Sequence, residues 1–182
     1  ATPTSSASFP NGGGIFADRA FDVLALERCS FEDNYAGPGG APNGGYGGGI
    51  YLHMGLNSSQ PRQRNGDVRI TNCQFSGNQA KAFSVNDSLN YRQAGFGAAI
   101  ATENSFDTSL PWIRFAMTNS TVANNVHVAG ASNLQGSGAV HLQGCEEVYV
   151  ANSIFWGNTG ASDVESDQIN LGSVDRSGNP VT

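Results

Sequence analysis

Residues 67–80 read DVRITNCQFSGNQA, and this order of residue types returns three more times along the chain. Apolar and polar residues alternate first, a small residue and a large apolar residue follow, and an asparagine closes each copy. The closing residues are Asn34, Asn78, Asn125 and Asn158. Because the motif is constant while the connections between its copies vary in length, the sequence predicts a stack of similar structural repeats.

A second motif, rich in glycine, alternates with the first. Residues 12–16 read GGGIF, residues 47–51 read GGGIY and residues 97–101 read GAAIA, with weaker copies SGAVH at 137–141 and DQINL at 167–171. Small or branched apolar residues alternate with others in each copy, which is the periodicity of a β-strand. The glycines and alanines leave room where an opposite wall of the fold comes close.

Equivalent positions of the repeats predict rows of stacked side chains. In a parallel β-helix each coil lays its strands on the coil below at a spacing of about 4.8 Å. The large apolar residues should therefore form one interior row, with a row of small residues beside it. The first row contains Phe31, Phe75, Val122 and Phe155, and the second contains Cys29, Cys73, Ser120 and Ser153.

The cysteines allow two states. We predict that Cys29 and Cys73 stack as free thiols, with a disulfide between neighbouring coils as the alternative, because strand spacing permits that bond. Cys145 should be a lone thiol at a turn. Three cysteines without a CxxC pair do not indicate a zinc site.

A further set of asparagines falls at the bend inside the first motif. Asn72, Asn119 and Asn152 occupy this position, and Arg28 occupies it in the first copy. Asparagine tolerates left-handed backbone angles and bonds to its neighbours at such bends. We expect Asn72, Asn119 and Asn152 to stack and to bond through their amides in a ladder that Arg28 interrupts.

The two motifs together resemble a known repeat. A GGAI-like strand that alternates with an FxxN turn resembles the repeat of polymorphic outer-membrane proteins. Residues 152–160 (NSIFWGNTG), followed by Gln168 and Ile169, resemble the last coils of bacterial secreted right-handed parallel β-helix proteins. The resemblance covers the chain from Ala7 to Leu171. It implies an all-β fold, a right-handed parallel β-helix (solenoid) of about four to five coils with long inter-strand loops, in a single domain spanning residues 1–182.

The composition excludes several classes of function. Only 13% of the 182 residues are charged, against about 25% in an average soluble domain, and the net charge is −6 with Lys81 as the only lysine. Without clustered Lys and Arg we expect no nucleic-acid partner. Without an apolar run of about 18 residues we expect no membrane insertion. Scarce lysine and abundant Ser, Thr and Asn favour an extracellular or cell-surface protein.

The outward polar row of the glycine-rich strands holds the candidates for catalysis. Asp18, His53 and Glu103 each follow the isoleucine of their motif by three positions, and Gln143 follows Val140 in the same way. Asp18 and Glu103, two coils apart, would be separated by roughly 9.6 Å at the backbone, near the upper limit for an inverting carboxylate pair. The paired-Asp, Gly-His and Arg-x-Lys signatures of the pectin-degrading families are missing. We therefore predict no enzyme, with polysaccharide lyase or glycoside hydrolase activity as the alternative.

Outward aromatic residues are candidates for ligand binding. Phe16 and Tyr51 share an outward slot on adjacent coils, and Tyr46 and Tyr91 precede the glycine-rich motifs. Such rings can stack on sugars, or they can simply cover the flank of the coil.

The acidic residues near the end of the sequence are the candidates for a metal site. Asp163, Glu165 and Asp167 alternate and could offer oxygen ligands to calcium. Their spacing lacks the glycine and the further ligands of an EF-hand loop. We therefore predict solvated charge, no metal and no cofactor.

Loops between the motifs should hold any ligand, because rigid scaffolds present function on loops. The predicted loops span 37–46, 55–66, 80–95, 103–111 and 126–137.

Assembly is expected at both ends. Ala7 and Phe9 match one phase of the motif, and Val181 and Thr182 match the start of the following strand. Uncapped strands are templates for pairing with another chain. We therefore expect copies of the chain to associate end to end into filaments, with carbohydrate as the alternative partner.

Overall fold

The computed structural model describes residues 12–18, 22–37, 45–53, 66–81, 96–103, 113–128, 138–160 and 168–171. These residues form sixteen β-strands and contain no helix. Accordingly, the described segments include no helix that is long and apolar enough to cross a membrane.

The strands follow one another in repeats. The first repeat comprises β1 (Ile15–Asp18), β2 (Val23–Glu27), β3 (Ser30–Glu32) and β4 (Tyr35–Ala36). The second comprises β5 (Ile50–His53), β6 (Gly66–Thr71), β7 (Gln74–Ser76) and β8 (Gln79–Lys81). The third comprises β9 (Ile100–Glu103), β10 (Ile113–Thr118), β11 (Thr121–Ala123) and β12 (Val126–Val128). The fourth comprises β13 (Val140–Leu142), β14 (Cys145–Ala151) and β15 (Ile154–Trp156), and β16 (Ile169–Leu171) follows it.

Each sheet takes at most one strand from each repeat. The first sheet has the order β1-β5-β9-β13-β16, the second β2-β6-β10-β14, the third β3-β7-β11-β15 and the fourth β4-β8-β12. Every pairing between these strands is parallel, and strands that are consecutive in the chain lie in different sheets. The fold is therefore all-β, with parallel strands in stacked sheets, an arrangement compatible with a parallel β-helix.

The predicted interior row is confirmed. Phe31 pairs with Phe75, Phe75 with Val122, and Val122 with Phe155 in the register of the third sheet. The rings of Phe31 and Phe75 are stacked with their centroids 4.9 Å apart. Phe75 and Val122 are completely buried, which is the expected result of alternating apolar residues that face a common core.

The glycine-rich motif makes room for this row. A Cβ atom added to Gly49 would lie 3.4 Å from the Phe75 ring and 2.7 Å from the Ala99 carbonyl oxygen. Gly47 has a φ of 59°, and a Cβ atom there would overlap with the carbonyl of Ile50. The first sheet can therefore approach the interior only where its strands begin with very small residues.

The prediction for the bend asparagines is right for the backbone and wrong for the side chains. Asn72, Asn119 and Asn152 have φ values of 54°, 50° and 50°, and Arg28 has 55°, so the predicted left-handed bend is present in all four repeats. Their side chains, however, are exposed and do not form the predicted amide ladder. That ladder is built by the asparagines that close the motif.

Three of the predicted loops begin inside a strand. Segment 103–111 begins at Glu103, the last residue of β9. Segments 80–95 and 126–137 begin inside β8 and β12, which belong to a fourth sheet that the sequence motifs do not predict. These strands are only three residues long, so they carry too few alternating positions to be recognised. Tyr46, placed in the loop 37–46, pairs with Phe96 through a parallel bridge.

Candidate functional site

The outer face of the first sheet brings together the predicted polar row. Along β5, Ile50 and Leu52 are buried in the core, so the alternate residues Tyr51 and His53 face the other side of the sheet. The register places Asp18 beside His53 and His53 beside Glu103. Gln143 follows directly after β13, and its backbone N–H donates to the Thr102 carbonyl at 3.2 Å.

Five rings form a continuous series across this face. Phe16 stacks on Tyr51 at 5.5 Å between centroids, and Tyr46 lies 5.1 Å from Tyr51. Phe96 lies 5.3 Å from Tyr46, and His141 stacks on Phe96 at 4.6 Å. His141 was not among the residues predicted from the sequence. It occupies the same register position as Phe16 and Tyr51, and that position was a signal for it.

These rings mostly cover one another. Phe16 is 49% exposed, whereas Tyr51 is only 3% exposed and His141 is buried. The Tyr51 hydroxyl donates to Glu103 Oε2 at 2.5 Å, across one strand spacing. The His53 ring lies 6.0 Å from that of Tyr51. The face thus combines the exposed Phe16 ring with the partly exposed carboxylate of Glu103 and imidazole of His53, groups that can accept from and donate to hydroxyls of a ligand.

Other predicted site residues lie outside the part of the chain that the structure describes. Tyr91 is among them, as are the acidic residues Asp163, Glu165 and Asp167 and the assembly residues Ala7, Phe9, Val181 and Thr182. Within the described residues, no group of three or more His, Cys, Asp or Glu side chains could hold a metal ion.

An amide ladder connects the four repeats through their interior. The backbone N–H and the Nδ2 of Asn34 both donate to Asn78 Oδ1, at 3.1 and 2.9 Å. Asn78 donates in the same way to Asn125 Oδ1, and Asn125 to Asn158 Oδ1. The Nδ2 of Asn78 also donates to the Phe31 carbonyl at 2.8 Å. Each buried amide therefore bonds to the repeats on both of its sides, which removes the cost of burying it.

A glutamine closes this ladder after the fourth repeat. Asn158 Nδ2 donates to Gln168 Oε1 at 2.8 Å, and Gln168 Nε2 donates back to the Asn158 carbonyl at 3.2 Å. Gln168 precedes Ile169 at the position that Gly49 and Ala99 occupy in earlier repeats. A long side chain at this position thus takes the place of a fifth asparagine.

A second ladder runs through the row of small residues. The Cys29 N–H donates to Cys73 Sγ at 3.4 Å, the Cys73 N–H to Ser120 Oγ at 3.1 Å, and the Ser120 N–H to Ser153 Oγ at 3.2 Å. The Cys73 thiol then donates to the Thr71 carbonyl at 3.3 Å, just as the hydroxyls of Ser120 and Ser153 donate to the carbonyls two residues before them. Burial raises the pKa of the Cys73 thiol, although the hydrogen bond that its sulfur accepts from the Cys29 backbone N–H opposes the shift.

Cys29 and Cys73 are free thiols in this structure, and so is Cys145. The prediction that Cys145 lies at a turn is wrong, because it is the first residue of β14 and packs against the core beside Thr102. Burial raises the pKa of the Cys145 thiol to about 12, although the Thr102 hydroxyl opposes the shift. The register between β10 and β14 shifts between Ile113 and Arg114, so a β-bulge lies where β14 begins.

Large apolar side chains stand on the outside of the fourth repeat. Tyr149, Ile154 and Trp156 are 61%, 60% and 74% exposed. In the third repeat the same positions hold Ala116, Thr121 and Ala123, which are small or polar. These three side chains lie on β14 and β15, the last strands of the second and third sheets.

Comparison of the chain with family models, with curated proteins and with solved structures found no match. The resemblance to the polymorphic outer-membrane protein repeat therefore stays a prediction from the two motifs.

Proposed function

We propose that this chain is a right-handed parallel β-helix of four to five coils that acts outside the cell as a non-catalytic structural module, and that copies of it associate end to end. One observation carries the association. Among the described residues, every exposed large hydrophobic side chain lies in the first or the last repeat: Phe16, Val23, Tyr35, Val148, Tyr149, Ile154 and Trp156. A second copy of the chain is the occupant that brings a first repeat against a last repeat.

Such a joint would involve apolar residues of two kinds: core residues that the first and last repeats leave partly uncovered, and outward residues beside them. Leu24 and Leu26 in the first repeat face the core yet are only half-buried, and Val148 in the fourth is 40% exposed, because one side of each row lacks a neighbour in the described residues. Stacking would bury them at about 25 cal/mol per Å² of apolar surface. The other six exposed side chains, Ile154 and Trp156 among them, alternate with core residues along their strands and face outward, so they would flank such a joint instead of filling it.

The joint has to be staggered. β16 extends the first sheet by one strand beyond β14 and β15. A second copy that stacks on this end would meet it in the second and third sheets, where Val181 and Thr182 of one copy and Ala7 and Phe9 of the next match the phase of the repeat. Ala7 and Phe9 precede β1 in sequence and have the phase of the third sheet, which makes them the proposed contact residues.

Sedimentation velocity and electron microscopy at neutral pH test the association. We expect oligomers that lengthen with concentration, and an apparent dissociation constant at least tenfold weaker for a variant with Ile154→Thr and Trp156→Ala. These substitutions copy Thr121 and Ala123 from the equivalent positions of the third repeat. Gln74→Thr, on the same face of the second repeat, is the control and should change nothing. Monomers of the unaltered chain at every concentration would rule out end-to-end association.

Carbohydrate binding is the second candidate, supported by the row of rings beside Asp18, His53 and Glu103. Titration with acidic and neutral polysaccharides should give binding that Phe16→Ala and Glu103→Gln each weaken about tenfold or more. Trp156→Ala is the control, because it alters the assembly surface alone. Cleavage of a polysaccharide that is lost in Glu103→Gln would instead identify an enzyme, and absence of binding to all of them would exclude this candidate.

A further inference from the structure

The ladder of small residues contains a chemical difference between its two halves. Ser120 and Ser153 make the same bonds as Cys73, to the preceding repeat and to their own chain, at shorter distances. A hydroxyl is a stronger donor and acceptor than a thiol. The ladder alone would therefore be satisfied by serine throughout. The thiols instead occupy the first and second repeats, which are adjacent.

We propose that Cys29 and Cys73 form a reversible disulfide that joins the first repeat to the second. This site does not depend on the proposed function. The Gln74 N–H donates to the Cys29 carbonyl at 2.9 Å, so the two backbone segments are already paired in parallel. Paired strands lie about 4.8 Å apart, within the Cα separation that disulfides adopt. Cys73 Sγ lies 3.4 Å from the Cys29 backbone nitrogen, which places the sulfur against the neighbouring cysteine.

A small-molecule disulfide such as oxidised glutathione supplies the oxidant. Cys29 is partly exposed and Cys73 is buried, so the Cys29 thiolate attacks first. One glutathione thiolate leaves, and a mixed disulfide forms at Cys29. The Cys73 thiolate then attacks Cys29 Sγ and displaces the second glutathione. The two protein thiols lose two protons and two electrons, and one oxidant disulfide becomes two thiols.

The second step should accelerate as the pH rises. Burial raises the pKa of the Cys73 thiol, so its reactive thiolate is scarce at neutral pH. Cys145 is the internal control because its thiol lies beside Thr102 and has a pKa near 12. It should stay reduced while the other two cysteines react.

The test uses the full chain incubated with oxidised glutathione and then analysed by mass spectrometry and peptide mapping. We expect the loss of two hydrogen atoms per chain, a linked pair of peptides containing Cys29 and Cys73, and full reversal by dithiothreitol. The melting temperature of the oxidised chain should be higher, since the cross-link restricts the unfolded state.

Cys73→Ser is the matched variant, because Ser120 provides the same bonds one repeat later. It should fold normally and keep a glutathione adduct on Cys29. In the unaltered chain, a lasting glutathione adduct on Cys29, a disulfide between two molecules or three unreacted thiols would each overturn the proposal.

Discussion

Two rows of asparagine run through this molecule, and they contribute to the fold in different ways. Asn72, Asn119 and Asn152 are exposed and contribute a left-handed backbone angle, whereas Asn78 and Asn125 are buried and contribute an amide. The first row accepts Arg28 in place of asparagine because only the backbone angle matters there. The second row tolerates no break among the described repeats, because each amide bonds to the repeats on both sides.

Both bends follow one rule that explains the difference. The residue with positive φ faces outward, and the residue after it turns inward and bonds to the next repeat. Asn72 is followed in this way by Cys73, and Gly77, with a φ of 65°, is followed by Asn78. An asparagine is therefore a bend residue in the first position of such a pair and a ladder residue in the second.

The largest effect is expected where a ladder amide is removed. Asn125→Ala leaves the Asn78 N–H and Nδ2 without their acceptor and the Phe75 carbonyl without its donor. Each buried group without a partner costs about 1–3 kcal/mol, so the free energy of unfolding should fall by at least about 3 kcal/mol. Urea denaturation measures this. A loss below about 1 kcal/mol would mean that the buried amides carry little of the stability.

The rows could be predicted from sequence, and their roles could not. Burial of Phe75 and Ile50 follows from apolar periodicity, which needs no knowledge of the turns. Predicting whether Asn72 or Asn78 belongs to the buried ladder requires knowing which residue of each bend has positive φ. Asparagine is suited to both positions, so its presence alone does not decide this. The available signal was the residue before each ladder asparagine. It is Asp33, Gly77, Asn124 or Gly157, all residue types that readily adopt positive φ.

The candidate site, too, could be predicted from the sequence only in part. The register of Asp18, His53 and Glu103 followed from counting positions after the isoleucine of each motif. The covering of Tyr51 by Tyr46 did not, because it depends on a ring that precedes the strand and folds back over it. The local pattern of a strand predicts which way its own side chains face, not what reaches them from elsewhere.

An intermediate effect is expected at the bend residue that precedes the ladder. A Cβ atom at Gly77 would overlap with Asp33 Oδ1, and the φ of 65° is strained for alanine by about 1–2 kcal/mol. Gly77→Ala should therefore reduce the free energy of unfolding by about 2 kcal/mol. Combining it with Asp33→Gly should recover the part due to the overlap. If the double variant is no more stable than Gly77→Ala, the overlap makes no contribution and only the backbone angle matters.

The smallest effect, and the one that separates the two rows most cleanly, is expected at Asn119. Its side chain is exposed and its φ is 50°. Asn119→Ala should cost about 1 kcal/mol because alanine resists this angle, whereas Asn119→Gly should cost almost nothing because glycine adopts it freely. At Asn125 the same two substitutions should be equally damaging, since both remove the amide. Denaturation of the four variants side by side measures the contrast. A loss of stability in Asn119→Gly as large as that in Asn125→Gly would show that the exposed amide also holds the repeats together.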